Sequence, residues 1–228
     1  MTLKILVAED SASNRILLSM TLRRLGCHAD VVATGAAAAE LFEVGGYDLV
    51  FLDLNMPGLS GVETAALMRK RNAARTPVYA VSGFASEEME RKFAESGIRR
   101  CLIKPLDREK LEEVMRECGL SIVPPTAEEG APHAVPQKLL QTFMAELRAR
   151  GAACTVFFNN GDGEGLLREA HTVRSIAQTL GDKALENAAV ALEARYGGGM
   201  TPSLHPLVLA LSDACVTAAE DIERRGRL

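Results

Sequence analysis

Short apolar runs alternate with amphipathic stretches through the first half of the chain, and this alternation restricts the fold more than any other feature. Lys4–Ala8 (KILVA), Ala29–Val32, Leu49–Leu52 (LVFL), Val78–Val81 (VYAV) and Cys101–Ile103 are too short for helices. They also lack the in–out polarity of a strand with one wet face. Runs of this kind suit strands covered on both sides, as in a parallel sheet. Between them, Ile16, Leu17, Met20 and Leu25 make an apolar stripe that Gly26 stops. Further helical stretches lie at Ala36–Val44, Val62–Arg71, Ser86–Ser96 and Arg108–Cys118, the last two stopped by Gly97 and Gly119. Five β–α units in this order predict a doubly wound, five-stranded parallel sheet with helices on both faces.

The pattern breaks at Ser121–Pro136 (SIVPPTAEEGAPHAVP), which is proline-rich and without period, as a linker is. Beyond it every long segment is helical. Gln137–Phe158 reads as one helix in which Gly151 allows a break or kink. Gly161–Gly163 is a turn, and Glu164–Leu180 a second helix. Asp182 caps a third helix running to Tyr196, Gly197–Gly199 ends it, and Pro202–Arg225 is the last. Four helices with short turns predict an antiparallel four-helix bundle. The expected organisation is therefore an α/β domain over residues 1–119, a linker over 120–136 and an all-α domain over 137–228.

Bulk properties narrow the function. Aromatic residues make up only 4% of the chain and Trp is absent, so the cores are built from Leu, Val, Ile and Ala. The net charge is −4 and no basic stripe is present, which argues against nucleic acid as a partner. The five cysteines show no metal or CxxC spacing and read as unpaired thiols of a reducing compartment. Without a charged leader and an apolar core behind it, or an apolar run near the ~20 residues of a membrane helix, the expectation is a cytoplasmic protein with no membrane partner.

The candidate chemistry lies at the predicted strand ends. Glu9 and Asp10 follow the first strand, Asp53 the third, Ser82 the fourth, and Lys104-Pro105 the fifth. Each is ordinary alone, since an Asp at a strand end usually caps a turn. A parallel sheet gathers the carboxyl ends of its strands on one edge, so here they converge. Three carboxylates in one pocket repel, and an all-oxygen set suits Mg²⁺. A carboxylate there can attack phosphorus, while Lys104 and Ser82 offset charge on the phosphoryl oxygens.

The stretches ILVAEDSASNR, DLVFLDLNMPGLSG, VYAVSG and CLIKPL resemble the receiver domain of two-component response regulators, especially those attached to hybrid histidine kinases. The resemblance covers residues 3–119 and implies a flavodoxin-like fold. It makes Asp53 the phosphoacceptor, with Asp10, Asp53 and the Asn55 backbone carbonyl holding Mg²⁺ and Glu9 acting through water. Ser82 becomes the switch hydroxyl and Lys104 the phosphate-sensing cation, before a cis peptide to Pro105. One position departs from the family. Three residues before the lysine, where the family usually carries Tyr or Phe, stands Cys101.

In the second domain Leu166, Ala170, Val173, Ala177 and Leu180 form an apolar stripe at helical spacing. His171 falls on the other side, with Arg168, Arg174, Ser175 and Gln178 on its own face. The expectation is an exposed imidazole nucleophile with cations one turn away and a small residue that leaves a partner room. EAHTVRSIAQTLG resembles the histidine phosphotransfer (HPt) motif. By that resemblance His171 accepts phosphoryl, and Arg168, Arg174, Ser175 and Gln178 support it, with Arg174 in place of the usual Lys and Ser175 in place of the usual Gly.

Together the two resemblances imply a carrier in a multistep His–Asp phosphorelay, with Mg²⁺ as cofactor and a histidine kinase and a downstream receiver as partners. An intramolecular contact between receiver and HPt domain is a further implied partner. No ATP-binding kinase segment is found in these residues, so kinase activity is not expected of them. Two rivals stand beside this. One is a regulatory module whose receiver docks on and occludes the HPt helix. The other is an aspartyl-phosphate phosphatase of haloacid-dehalogenase type, against which stands Asn55 where a second Asp would act as general acid.

Overall fold

The structure is a computed structural model that describes residues 2–70, 76–83, 87–121, 137–196 and 199–225. The expected linker lies almost wholly outside the described residues. The chain divides into two compact units.

The first unit contains β1 (Lys4–Ala8), α1 (Ala12–Arg24), β2 (His28–Val32), α2 (Gly35–Val44), β3 (Leu49–Asp53), α3 (Gly61–Lys70), β4 (Val78–Ser82), α4 (Glu87–Ser96), β5 (Ile98–Ile103) and α5 (Arg108–Glu117). The strands form one sheet in the order β2-β1-β3-β4-β5. All its pairings are parallel. The apolar runs are what this sheet needs, because both of its faces are covered. Ile5, Val7, Leu49, Phe51, Tyr79 and Val81 pack under Leu22 of α1 and Leu111, Val114 and Met115 of α5. Their neighbours Leu6, Ala8, Val50, Leu52 and Ala80 pack on the other face with Ala38 of α2, Ala65 and Met68 of α3 and Phe93 of α4. Fully burying one Leu, Ile or Phe side chain contributes about 1.5–3 kcal/mol, so this double layer holds the strand ends rigidly.

Helix ends follow local chemistry. Thr34 and Asp107 cap α2 and α5 by accepting from the backbone N–H groups of Ala37 and Lys110. Gly26 and Gly97 leave α1 and α4 at φ 75° and 85°, left-handed values that a side chain resists. The fifth strand starts three residues earlier than the apolar run Cys101–Ile103. Arg99 and Arg100 lie in its exposed part, since β5 is the sheet edge.

The second unit holds α6 (Gln137–Asn159), α7 (Gly163–Leu180), α8 (Lys183–Tyr196) and α9 (His205–Arg225), the last preceded by a short 3₁₀ turn at Pro202–Leu204. Each helix packs on the next, and α9 closes the ring against α6. Leu147, Val173, Ala189 and Leu211 are among its fully buried side chains. α6 runs unbroken through Gly151. A Cβ there would meet the Cys215 Cβ at 3.0 Å, so the glycine admits α9 at close range rather than interrupting the helix. Asp162 and Asp182 cap α7 and α8, and Gly181 ends α7 at φ 69°. No helix among the described residues is long and apolar enough to cross a membrane.

Candidate functional site

The carboxyl ends of β1, β3, β4 and β5 meet at one edge of the sheet. The register pairs Ala8 with Leu52, Asp53 with Val81, and Ser82 with Ile103, so the residues at or just after these positions stand side by side. Carboxylate oxygens of Glu9, Asp10 and Asp53 all lie within 4.8 Å of one another. Lys104 reaches in from the end of β5, its Nζ 2.6 Å from Glu9 Oε2 and 2.6 Å from Asp53 Oδ2. Glu9, Asp53, Ser82 and Lys104 are all buried. The Lys104–Pro105 peptide is cis.

Burial and the Asp53 and Asp10 charges push the Glu9 carboxyl up to about 8 against the pull of Lys104. Burial works against the charge on Lys104, but Asp53 and Glu9 outweigh it and hold the ammonium charged. One cation facing three carboxyls leaves the cluster short of positive charge. An all-oxygen donor set this close fits a hard divalent cation. The Asn55 N–H donates to Asp53 Oδ1 at 3.0 Å and restrains the carboxylate.

Two neighbours escape notice in the sequence. Asn14 Nδ2 donates to Glu9 Oε1 at 3.3 Å, and Arg15 Nη1 donates to the backbone oxygens of Glu9 and Asp10 at 2.7 and 2.8 Å. Both project from the first turn of α1, and their place four to six residues after the acidic pair was the one available signal. Cys101, where an aromatic ring is usual, is half-buried on β5.

In the bundle, His171 stands on α7 with its side chain only 19% exposed. It is not the open imidazole expected from the pattern of α7 alone. Its Nδ1 lies 3.3 Å from Oε1 of Glu193, a residue of α8, and Arg174 Nη1 donates to Oε2 of the same carboxylate at 2.9 Å. Burial resists ionisation of Glu193, but His171 and Arg174 overcome it and hold the carboxyl below its usual value. Gln178 donates to Glu186 at 3.0 Å and Arg168 is exposed. Ser175 is 1% exposed, within the core rather than on the approach to His171. The reason for these differences is α8, which packs along α7 and covers part of the face that the helical spacing left open. Of the other described histidines, His28 lies 3.4 Å from Asp30 and His205 stacks on Phe158, consistent with ordinary packing roles.

Comparison with known proteins agrees with this geometry. Residues 5–116 match the response regulator receiver domain, and residues 138–222 match the Hpt domain. The virulence sensor protein BvgS of Bordetella pertussis is 27% identical over 261 aligned residues that take in all of this chain and 21% of that protein. The sensor protein EvgS of Escherichia coli is 33% identical over 110 residues, 48% of this chain and 9% of that protein. The chain thus spans about a fifth or less of these relatives. Among solved structures, the chemotaxis protein CheY4 of Vibrio cholerae covers 52% of this chain and 99% of its own at 26% identity and a TM-score of 0.50. With a five-stranded parallel sheet, a helical bundle and both family matches in the expected order, the chain belongs to the two-component phosphorelay proteins, as a receiver domain followed by an Hpt domain.

Proposed function

We propose that this phosphorelay module takes phosphoryl on Asp53 of its receiver and on His171 of its Hpt domain, exchanging it with a histidine kinase on one side and a separate receiver on the other. The observation that carries this is the convergence of Glu9, Asp10 and Asp53 with Lys104 set between two of them. Asp53 is the nucleophile: an oxygen of its carboxylate forms the O–P bond while the donor's bond to phosphorus breaks, its electron pair leaving with the donor. Lys104 would offer positive charge to the phosphoryl oxygens, and Ser82, buried at the end of β4, would donate a hydrogen bond to them. Asp10, Asp53 and the Asn55 carbonyl would hold Mg²⁺, with Glu9 joined through water, and the metal would offset negative charge at the transferring group.

His171 is the second acceptor, reached by direct transfer from a receiver aspartyl phosphate, with Arg168, Arg174 and Gln178 as its supports and Ser175 left to the core. The relatives are sensor proteins many times longer, which supports a kinase supplied by another segment or another chain. Incubation with acetyl phosphate and Mg²⁺ tests the reading. The chain should gain acid-stable, base-labile phosphate, and Asp53→Asn should lose it. Undiminished labelling of that variant would remove the receiver chemistry.

A further inference from the structure

The turn that carries Glu9 and Asp10 leaves the sheet as soon as β1 ends. The Glu9 N–H still donates to the Val32 carbonyl of β2 at 3.0 Å, one step beyond the last paired residue, Ala8. The next two carbonyls, those of Glu9 and Asp10, both accept from one atom, Nη1 of Arg15, at 2.7 and 2.8 Å. The Glu9 carbonyl belongs to the peptide before the Asp10 Cα, and the Asp10 carbonyl to the peptide after it. Tying both to one rigid, planar guanidinium fixes the two peptide planes that flank Asp10, and with them the direction in which its Cβ leaves the chain. Both bonds have a charged donor, which makes each roughly twice as strong as a neutral one. The position is otherwise a poor one for a cation. Arg15 lies in the first turn of α1, where the helix dipole favours negative charge, and that turn holds no acidic residue. Glu9 is held differently, through its carboxylate: Lys104 is 2.6 Å from Oε2, and Asn14 donates to Oε1 at 3.3 Å. Lys104 thus balances charge, whereas Nη1 of Arg15 is spent on the main chain.

We propose that Arg15 is a positioning residue that clamps the two peptides around Asp10 and so presents the Asp10 carboxylate to Mg²⁺. This rests on Asp10 being a metal ligand. A clamp and a counter-charge predict effects of opposite sign. A cation beside the site repels Mg²⁺, so if Arg15 acted by charge, removing it would tighten metal binding. If Arg15 holds the turn, removing it weakens binding, because the metal must then order Asp10 itself.

The test is calorimetric titration of the whole chain with Mg²⁺ alone, so that metal binding is read without any phosphoryl transfer. Arg15→Ala should lose roughly 10- to 100-fold in Mg²⁺ affinity, the range found when the partner behind a metal ligand is removed. Arg15→Lys keeps the charge but not the planar fork, and should fall between wild type and Arg15→Ala. At saturating Mg²⁺, Arg15→Ala should label Asp53 from acetyl phosphate at the wild-type rate, because the bound metal then supplies the order that the clamp gave. In an Asp10→Ala background, Arg15→Ala should cost no further Mg²⁺ affinity, since its action runs through Asp10. Unchanged or tighter Mg²⁺ binding by Arg15→Ala would overturn the clamp. Full wild-type affinity in Arg15→Lys would overturn it too, by showing that a point contact is enough. Additive losses in the double variant would reduce Arg15 to general support of the fold. Where urea unfolding shows that Arg15→Ala does not fold, Arg15→Lys, alone and combined with Asp10→Ala, carries the same comparisons. Wild-type affinity in Asp10→Ala would instead remove the metal placement beneath the proposal, a failure seen without any change at Arg15.

Discussion

Lys104 Nζ lies 2.6 Å from Asp53 Oδ2, and this buried contact joins the last strand of the sheet to its central one. The same ammonium is 2.6 Å from Glu9, so a single cation is shared by two carboxylates of the acidic cluster. Before any phosphoryl group arrives, Lys104 is already part of the charge balance of the resting site.

Lys104→Ala should therefore act on folding as well as on chemistry. Removing one partner of a buried ion pair leaves uncompensated charge and costs about 3–5 kcal/mol. Urea unfolding should show that loss, and added Mg²⁺ should restore part of it by binding the folded form. The variant should bind Mg²⁺ no more weakly than wild type, because an ammonium competes for the same oxygens. Calorimetric titration showing a large loss of Mg²⁺ affinity would mean that Lys104 organises the metal site.

Asp10→Ala should show the opposite pattern. It removes a carboxylate from a cluster of three and with it a ligand, so Mg²⁺ binding by titration should weaken markedly. Folding stability without metal should hold or rise, because like-charge repulsion falls. Unchanged Mg²⁺ affinity would show that the metal is held elsewhere.

His171→Ala should cost more than a surface substitution. It leaves Oε1 of Glu193 buried with no donor in reach, a loss of about 1–3 kcal/mol visible in thermal melts. A melt unchanged by the substitution would show that the 3.3 Å approach contributes nothing to stability. Acid-labile phosphate should vanish while the acid-stable kind on Asp53 remains.

The bundle should also lose stability in acid through Glu193. Its folded carboxyl sits below the ordinary 4.5 of the unfolded chain, so the folded state favours the ionised form. That stabilisation is fully present above pH 4.5 and disappears as the pH falls from there through the folded value. Glu193→Gln should flatten this part of a stability–pH curve. An identical acid limb in both proteins would assign the loss to other groups.

The parts of the fold that were legible in the sequence are those where local pattern and tertiary environment agree. β1, β3 and β4 are covered on both faces, so burial writes them as unbroken apolar runs. β5 is an edge, and its solvent-facing Arg99 and Arg100 hid its first half. Gly151 carried a backbone signal, a break, where the packing of α9 needed an absent side chain. The strand-end residues were legible because topology alone brings them together. Glu193 was not: it is one of many charged residues on helices, and only the packing of α8 on α7 sets it beside His171. Asn14 and Arg15 were hidden similarly, within a helix whose pattern reports only its buried face.

The strand order has a consequence for how the receiver is made. Domains emerge from the ribosome amino terminus first. β1 and β3 can pair, gathering Glu9, Asp10 and Asp53, long before Lys104 is translated, since it follows Asp53 by 51 residues. Until β5 docks on β4, the carboxyls of that edge lack the ammonium that sits between Glu9 and Asp53 in the finished domain. The strand added last is thus the one that completes the electrostatics of the first.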